Sequence, residues 1–287
     1  MYTWMYCLFV VALTTCQPEK VKTGFESGVA SKDSLHIITG AERVGLYYPM
    51  LKDKKVALVV NQTSMAGDKH LVDTLLKLGV NINVVFAPEH GFRGVADAGE
   101  KVDDTKDLKT GLRIISLYGK KKKPSAVDLE GVDIVVFDIQ DVGVRFYTYI
   151  STLHYIMESC AENHKKLIVL DRPNPNAYFI DGPVLDTAYR SFIGMHPVPV
   201  VYGMTIGEYA QMINGEGWLS EKVTCELTVI ACKNYSYDSY YELPVRGYPA
   251  EVGDFRKRFP AEAADFRRKM AKNSAVFCVV CGKPACA

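Results

Sequence analysis

Lys54–Ser64 reads KKVALVVNQTS. Val56–Val60 within it is continuously apolar, whereas a strand with one wet face alternates. A run of this kind fits a strand buried on both faces. The pattern repeats towards the C-terminus. His70–Leu78 sets Leu71, Leu75 and Leu78 at helical spacing, and Gly79 ends the helix. Val84–Ala87, Leu112–Leu117, Ile134–Ile139 (within VDIVVFDIQ, Val132–Gln140) and Leu167–Leu170 read as further short strands. Tyr147–Cys160 reads as a helix with Ile150, Leu153, Ile156 and Met157 on one face. Thr205–Asn214 reads as a helix opened by a capping box, Thr205 with Glu208. Val223–Ala231 alternates as an edge strand does. This β-α-β order predicts an α/β fold, a parallel sheet covered on both faces.

In such sheets ligands bind beyond the carboxyl ends of the strands. Four polar segments fall there: Asn61–Ser64, Pro88–Gly94, Gln140–Tyr149 and Asp171–Pro175. Glu89 is the strongest candidate for chemistry. Pro88 stiffens its approach, His90 and Arg93 flank it, and a carboxyl in a partly dry cleft gains the raised pKa of a proton donor. It reads equally as a surface glutamate paired with Arg93. Asp141 is the candidate second carboxylate, able to activate water or steady positive charge on a sugar ring. Asp141 or Asp138 capping the next helix is the competing reading. Glu89, Asp141 and His90 form the candidate catalytic set. Asn61 and Thr63 are candidates for ligand hydroxyls, or for closing a turn. Arg93, Arg145 and Arg172 suit an anionic substrate group. Tyr147 offers a face for a sugar or packs on the rim. Asp171, Arg172 and Asn174 lie in a loop stiffened by Pro173 and Pro175 that serves binding or a rigid turn. His154 and His164 read as structural or exposed, and His196 has no assigned role.

Composition narrows the class. The chain has 287 residues, 48% apolar and 23% charged, enough for one large domain or one domain plus part of a second. A net charge of +1 makes no electrostatic case for nucleic acid or an anionic membrane. Lys120–Lys123 reads as a solvated loop. A dinucleotide fingerprint, a phosphate loop, a zinc helix and a serine-hydrolase elbow are all missing from the sequence, so no cofactor and no metal are expected. The eight cysteines form no disulfide framework, and Cys278 and Cys281 lack a second pair to complete a zinc site. At the N-terminus, Leu8–Leu13 (LFVVAL) is a short apolar core, and Leu13–Cys16 resembles a lipobox whose cysteine, Cys16, becomes lipidated. Met1–Tyr6 lacks the usual basic residues, which leaves an apolar helix or uncleaved anchor as the alternative. Export is the expected route, to a periplasmic or membrane-anchored lipoprotein that meets the membrane only through its lipid.

Five strings then carry a resemblance: VNQTS (Val60–Ser64), APEHGFRG (Ala87–Gly94), FDIQDVGVRFYTY (Phe137–Tyr149), LDRPNP (Leu170–Pro175) and VVYGMTIGEYA (Val200–Ala210). In this order they resemble the bacterial exo-β-N-acetylmuramidase family, formerly a domain of unknown function. The resemblance covers residues 35 to 245. It implies a Rossmann-like parallel-sheet domain, a smaller α/β domain and a cleft between them. It also implies removal of terminal N-acetylmuramic acid from peptidoglycan fragments, with Glu89 as the catalytic acid. Arginines suit the lactyl carboxylate of that sugar. Whether Asp141 or the substrate's own acetamido group completes the reaction stays open at this point.

The expected organisation is a signal segment at 1–16, a tether at 17–34, the Rossmann-like domain at 35–190, the start of a partial second domain at 191–245 and an atypical tail at 246–287. The tail is rich in Arg, Ala and Phe, echoes DFRKRF (Asp254–Phe259) in DFRRKM (Asp265–Met270), and departs from the family pattern as a frameshifted or truncated product would. Competing functions are a wall-sugar-binding lipoprotein without turnover, and an amidase or esterase acting on wall material. Peptidoglycan-derived muramyl saccharides are the expected partners.

Overall fold

A computed structural model describes residues 36–88, 92 and 105–244. The strands are β1 (Lys55–Val60), β2 (Met65–Ala66), β3 (Lys69–His70), β4 (Asn81–Ala87), β5 (Thr105–Lys106), β6 (Arg113–Ser116), β7 (Ile134–Asp138), β8 (Lys166–Leu170) and β9 (Leu227–Ile230). The helices are α1 (Val44–Leu51), α2 (Leu71–Lys77), α3 (Tyr149–Glu162) and α4 (Ile206–Gly215). Seven strands form one sheet in the order β5-β6-β4-β1-β7-β8-β9. All its pairings are parallel except that of β5 on β6. The six parallel strands thus lie in the doubly wound order, with the chain running outward from β1 in both directions.

The continuous apolar strands are explained by what covers them. Val56, Leu58 and Val60 of β1 pack beneath α1 and α2 with Tyr47, Leu51, Leu71 and Leu75. Ala57 and Val59 pack on the opposite face with Ile150, Leu153 and Met157 of α3 and Tyr209 and Ile213 of α4. β4 keeps both faces filled across a bulge. Its register against β1 skips Asn83 between Ile82 and Val84, and Asn83 turns out to solvent. The α4 capping box forms as its spacing predicts: Thr205 Oγ1 accepts from the Glu208 N–H at 3.2 Å, and the Thr205 N–H reaches Glu208 Oε2 at 2.8 Å.

One boundary differs from expectation. β9 pairs with β8 from Leu167↔Leu227 to Leu170↔Ile230, and α4 belongs to the same core as α3. The sheet domain therefore runs past residue 190 to at least Ile230. Residues 183–205 lie over α3 as a long crossover before α4, and their Pro- and Gly-rich composition imitates an interdomain link. The segments expected at 1–16 and 17–34, Cys16 among them, and the tail at 246–287 lie outside the described residues. Among the described residues, no helix is long and apolar enough to cross a membrane.

Candidate functional site

The switch in strand order falls between β1 and β7, and the polar segments gather at the carboxyl ends there. Asn61 leaves β1 fully buried. Its Oδ1 accepts from the Thr63 N–H at 2.9 Å and from the Thr63 hydroxyl at 2.5 Å. Thr63 Oγ1 in turn accepts the Gln140 N–H at 3.0 Å, and the Ser64 hydroxyl donates to the Asp138 carbonyl. These bonds tie the β1 exit to the β7 exit. Asn61 Nδ2 is buried and has no partner. Asn61 and Thr63 thus close a turn, with one amide donor left over.

Asp138, the last residue of β7, holds Arg172 from the end of β8. The Arg172 Nε–H and Nη2–H reach the two carboxylate oxygens at 2.6 and 2.8 Å, and Nη2 also donates to the Met65 carbonyl at 2.8 Å. Both side chains are buried. This bidentate pair fixes the β8 exit against the β1 exit through Nε and Nη2. Arg145 Nη1 donates to the Pro183 carbonyl at 2.9 Å and to the Val198 carbonyl. Asp171 Oδ1 accepts the N–H groups of Gly207 at 2.8 Å and Arg172 at 3.0 Å, and its Oδ2 accepts the Thr205 hydroxyl at 2.9 Å. It anchors the first turn of α4 to β8. Burial pushes its carboxyl up to about 7, against the pull of those donors. Asn174 Nδ2 donates to the Met204 carbonyl at 2.7 Å, and Oδ1 accepts the Asn176 N–H at 2.8 Å. The structure therefore places Arg145, Arg172, Asp171 and Asn174 in the frame that shapes the loops, each hydrogen-bonded to protein.

Asp141 is different. Its Oδ2 accepts the Gly143 N–H at 2.7 Å and the Tyr202 hydroxyl, while Oδ1 is buried with no partner among the described residues. Burial raises the carboxyl to about 6, opposed by the Tyr202 hydroxyl and the Gly143 and Val142 N–H groups. It caps no helix: the residue before α3 is Thr148, and Asp138 is taken by Arg172. The tight turn depends on Gly143, which has φ +74°, and a Cβ there would stand 2.3 Å from the Asn174 amide. Tyr147 is half-buried against Val142, Val144 and Val201, with Phe146 stacked on it at 5.5 Å, so it forms the rim beside this loop. Glu89, His90 and Arg93 lie outside the described residues. Phe92, between them, is buried edge-on against His70 at 5.0 Å, and His70 Nε2 bonds the Asn61 carbonyl at 2.9 Å. Phe92 is thereby tied to the β1 exit through His70.

Residues 56–250 match the family model described as exo-β-N-acetylmuramidase NamZ, N-terminal. The chain belongs to this family. A Bacillus subtilis (strain 168) protein named peptidoglycan β-N-acetylmuramidase NamZ is 45% identical over 192 residues, which is 66% of this chain and 45% of that protein. Crystal structures of two DUF1343 family proteins from Bacteroides fragilis are similar to it, with TM-scores of 0.67 and 0.66 and identities of 47% and 40%. They cover 73% and 71% of this chain, and 55% and 52% of their own lengths are matched. The chain spans about half the length of these relatives.

Within this NamZ-family sheet domain, one polar chain escapes a reading by sequence. The Tyr209 hydroxyl meets His196 Nδ1 at 2.9 Å, His196 Nε2 meets His154 Nδ1 at 3.0 Å, and His154 Nε2 stands 4.0 Å from Glu158. Trp218 stacks on His196 at 4.6 Å. Burial pushes His154 down to about 4 and His196 to about 3, so both rings are neutral at neutral pH. One proton arrangement then fits both hydrogen bonds: the Tyr209 hydroxyl donates to His196 Nδ1, and His196 Nε2–H donates to His154 Nδ1. Burial alone would raise Glu158, but Lys123 at 2.8 Å and Ser220 hold it at about 2. The Lys120–Lys123 run is largely neutralised in the same region. Lys121 pairs with Asp128 at 2.9 Å, Lys123 with Glu158 and Glu162, and Lys122 sits 4.1 Å over the Phe192 ring. Among the described residues, no group of three His, Cys, Asp or Glu is arranged to hold a metal ion.

Proposed function

We propose that the protein is an exo-β-N-acetylmuramidase that removes terminal N-acetylmuramic acid from peptidoglycan fragments during cell-wall turnover. The observation that carries this reading is the 45% identity to a peptidoglycan β-N-acetylmuramidase over 192 residues, together with the family match over residues 56–250, which takes in the strand-end loops. The geometry supports it. A doubly wound sheet presents those loops at its switch point, and Asp141 keeps an unfilled carboxylate oxygen there. Glu89 is the acid for the leaving oxygen, with His90 beside it, and Asp141 is the second carboxylate. Arg172 is buried on Asp138, Arg145 holds two carbonyls through Nη1, and Arg93, beside Glu89 in the sequence, is the choice for the lactyl carboxylate. Tyr147 lines the rim. The protein works after export, anchored through lipid on Cys16, where peptidoglycan fragments are its substrates.

Release of nitrophenol from a 4-nitrophenyl β-N-acetylmuramide by wild type and by Glu89→Gln tests the reading. Wild type is expected to turn the substrate over. Glu89→Gln is expected to lose roughly 100-fold or more, the usual weight of a general acid. Equal release by both would remove Glu89 as the acid. Saturable binding of N-acetylmuramic acid without release would point instead to a wall-sugar-binding lipoprotein.

A further inference from the structure

Asp141 has two oxygens in contrasting states. Oδ2 is fixed by the Tyr202 hydroxyl and the Gly143 N–H, whereas Oδ1 is buried and receives nothing from the described residues. A desolvated acceptor with no donor is a standing penalty that a ligand donor removes. Asn61 Nδ2, at the end of the neighbouring strand, is a second buried polar atom with no partner. The donors a terminal muramyl sugar offers Oδ1 are its hydroxyls and its acetamido N–H. The lactyl carboxylate is repelled by it. The acetamido nitrogen carries one N–H and no lone pair to offer, matching an oxygen that only accepts. The two donors on Oδ2 offset part of the effect of burial, so at neutral pH Asp141 is charged and Oδ1 can face positive charge.

Resting on the muramidase reading, we propose that Asp141 Oδ1 receives the N–H of the sugar's acetamido group and aims the acetamido oxygen at the anomeric carbon. Tyr202 is the positioning residue that holds the carboxylate for this task. In the first step the acetamido oxygen bonds to the anomeric carbon as the glycosidic bond breaks. The leaving oxygen takes a proton from the general acid. The nitrogen keeps its hydrogen, and the oxazolinium ring so formed carries the positive charge that Asp141 faces. Water then adds to the anomeric carbon and gives its proton back to the general acid. The bond to the acetamido oxygen breaks, and the product keeps the starting configuration. No carboxylate of the protein becomes covalently attached.

Two measurements decide it. The first is kcat across 4-nitrophenyl β-muramides bearing N-acetyl, N-fluoroacetyl, N-difluoroacetyl and N-trifluoroacetyl groups. Fluorine drains the nucleophilic oxygen, so kcat is expected to fall roughly 100-fold or more across the series. A flat series overturns the proposal and leaves the muramidase reading standing. The second is the calorimetric affinity of the muramic-acid thiazoline, a stable mimic of the oxazolinium ring, for wild type and Asp141→Asn. Tyr202 and Gly143 both donate, so they hold the amide oxygen of the asparagine and leave its NH2 where the free oxygen stood. Donor then meets donor, and affinity is expected to drop roughly 10- to 100-fold with little change in melting temperature. Equal affinity overturns the proposal, as does failure of the thiazoline to bind wild type. If wild type releases no nitrophenol, the muramidase reading fails and the thiazoline titration still decides the role of Asp141. Tyr202→Phe keeps the carboxylate and serves where the asparagine variant fails to fold. It is expected to lower kcat more than it raises KM, and an unchanged kcat removes Tyr202 from its positioning role.

Discussion

Arg172 shows how a residue chosen for binding is consumed by structure. Three polar contacts, two to Asp138 and one to the Met65 carbonyl, hold its guanidinium buried through Nε and Nη2. Removing one member of such a pair strands the other as a buried charge. Arg172→Ala is therefore expected to lose about 3–5 kcal/mol of stability, read as a lower urea midpoint, whereas replacing both partners with apolar residues costs far less. A loss within about 0.5 kcal/mol, the range of a surface change, would mean that the pair is solvated and the guanidinium free for an anion. The sequence holds no sign of this pairing, because the partners stand 34 residues apart on strands whose neighbours in the sheet are set by topology. Asp141 was legible as a candidate because it opens a loop at a strand end. Its distinction from Asp171 was not: both are buried carboxylates after strands, and only the count of donors on each oxygen separates a finished anchor from an unfilled site.

At the scale of elements, α3 and the segment that covers it are joined by the two neutral histidines. Unfolded, both rings titrate near the ordinary histidine value of 6.5, and folded, burial holds them at about 4 and about 3. The unfolded chain thus binds protons first. The stability from this pair is fully present above pH 6.5 and is lost as pH falls through the folded values. Asp141 and Asp171 act in the opposite sense. Burial raises them to about 6 and about 7, so their contribution is full below the ordinary carboxylate range and fades as pH rises through those values. A profile of the wild type alone mixes the two trends, and His196→Gln separates them. The groups facing that ring are His154 from α3, Tyr209 from α4, Trp218, and more distantly Arg190, while Glu158 and Lys123 act on His154 behind it. The destabilisation caused by His196→Gln in urea unfolding is expected to be about 1 kcal/mol smaller at pH 5.5 than at pH 7.5, because the wild type by then has lost that share. An equal cost at both values would mean that His196 is hydrated and titrates normally. Local devices of these elements read well in sequence: the α4 capping box spans four residues, and its side-chain bonds are set by that spacing alone. His196 stayed without a role because its partners lie on α3, α4 and the Trp218 turn.

Over the whole molecule, buried strands announce themselves by their apolar runs, but the edge of the domain does not. The sequence breaks its pattern after residue 190 with prolines and glycines, and that break looks like a linker. It is a crossover on the surface of the same sheet, after which α4 closes the α3 face and β9 completes the edge. The core explains why the domain cannot end at 190. Ile206, Met212, Ile213 and Leu219 are all buried against α3 and the sheet. Exposing four aliphatic side chains of this kind removes about 6–12 kcal/mol of burial at ~1.5–3 kcal/mol each. That is comparable to the whole stability of an ordinary domain, about 5–15 kcal/mol. The same cut bares the backbone of β8 as a new sheet edge and leaves Asp171 without the Gly207 and Thr205 donors that satisfy it. Chain ending at residue 190 is therefore expected to show no cooperative thermal transition and to be digested rapidly by trypsin, while the full chain melts cooperatively. A sharp melt of the shortened chain would restore the boundary at 190 and make α4 and β9 the opening of a second domain.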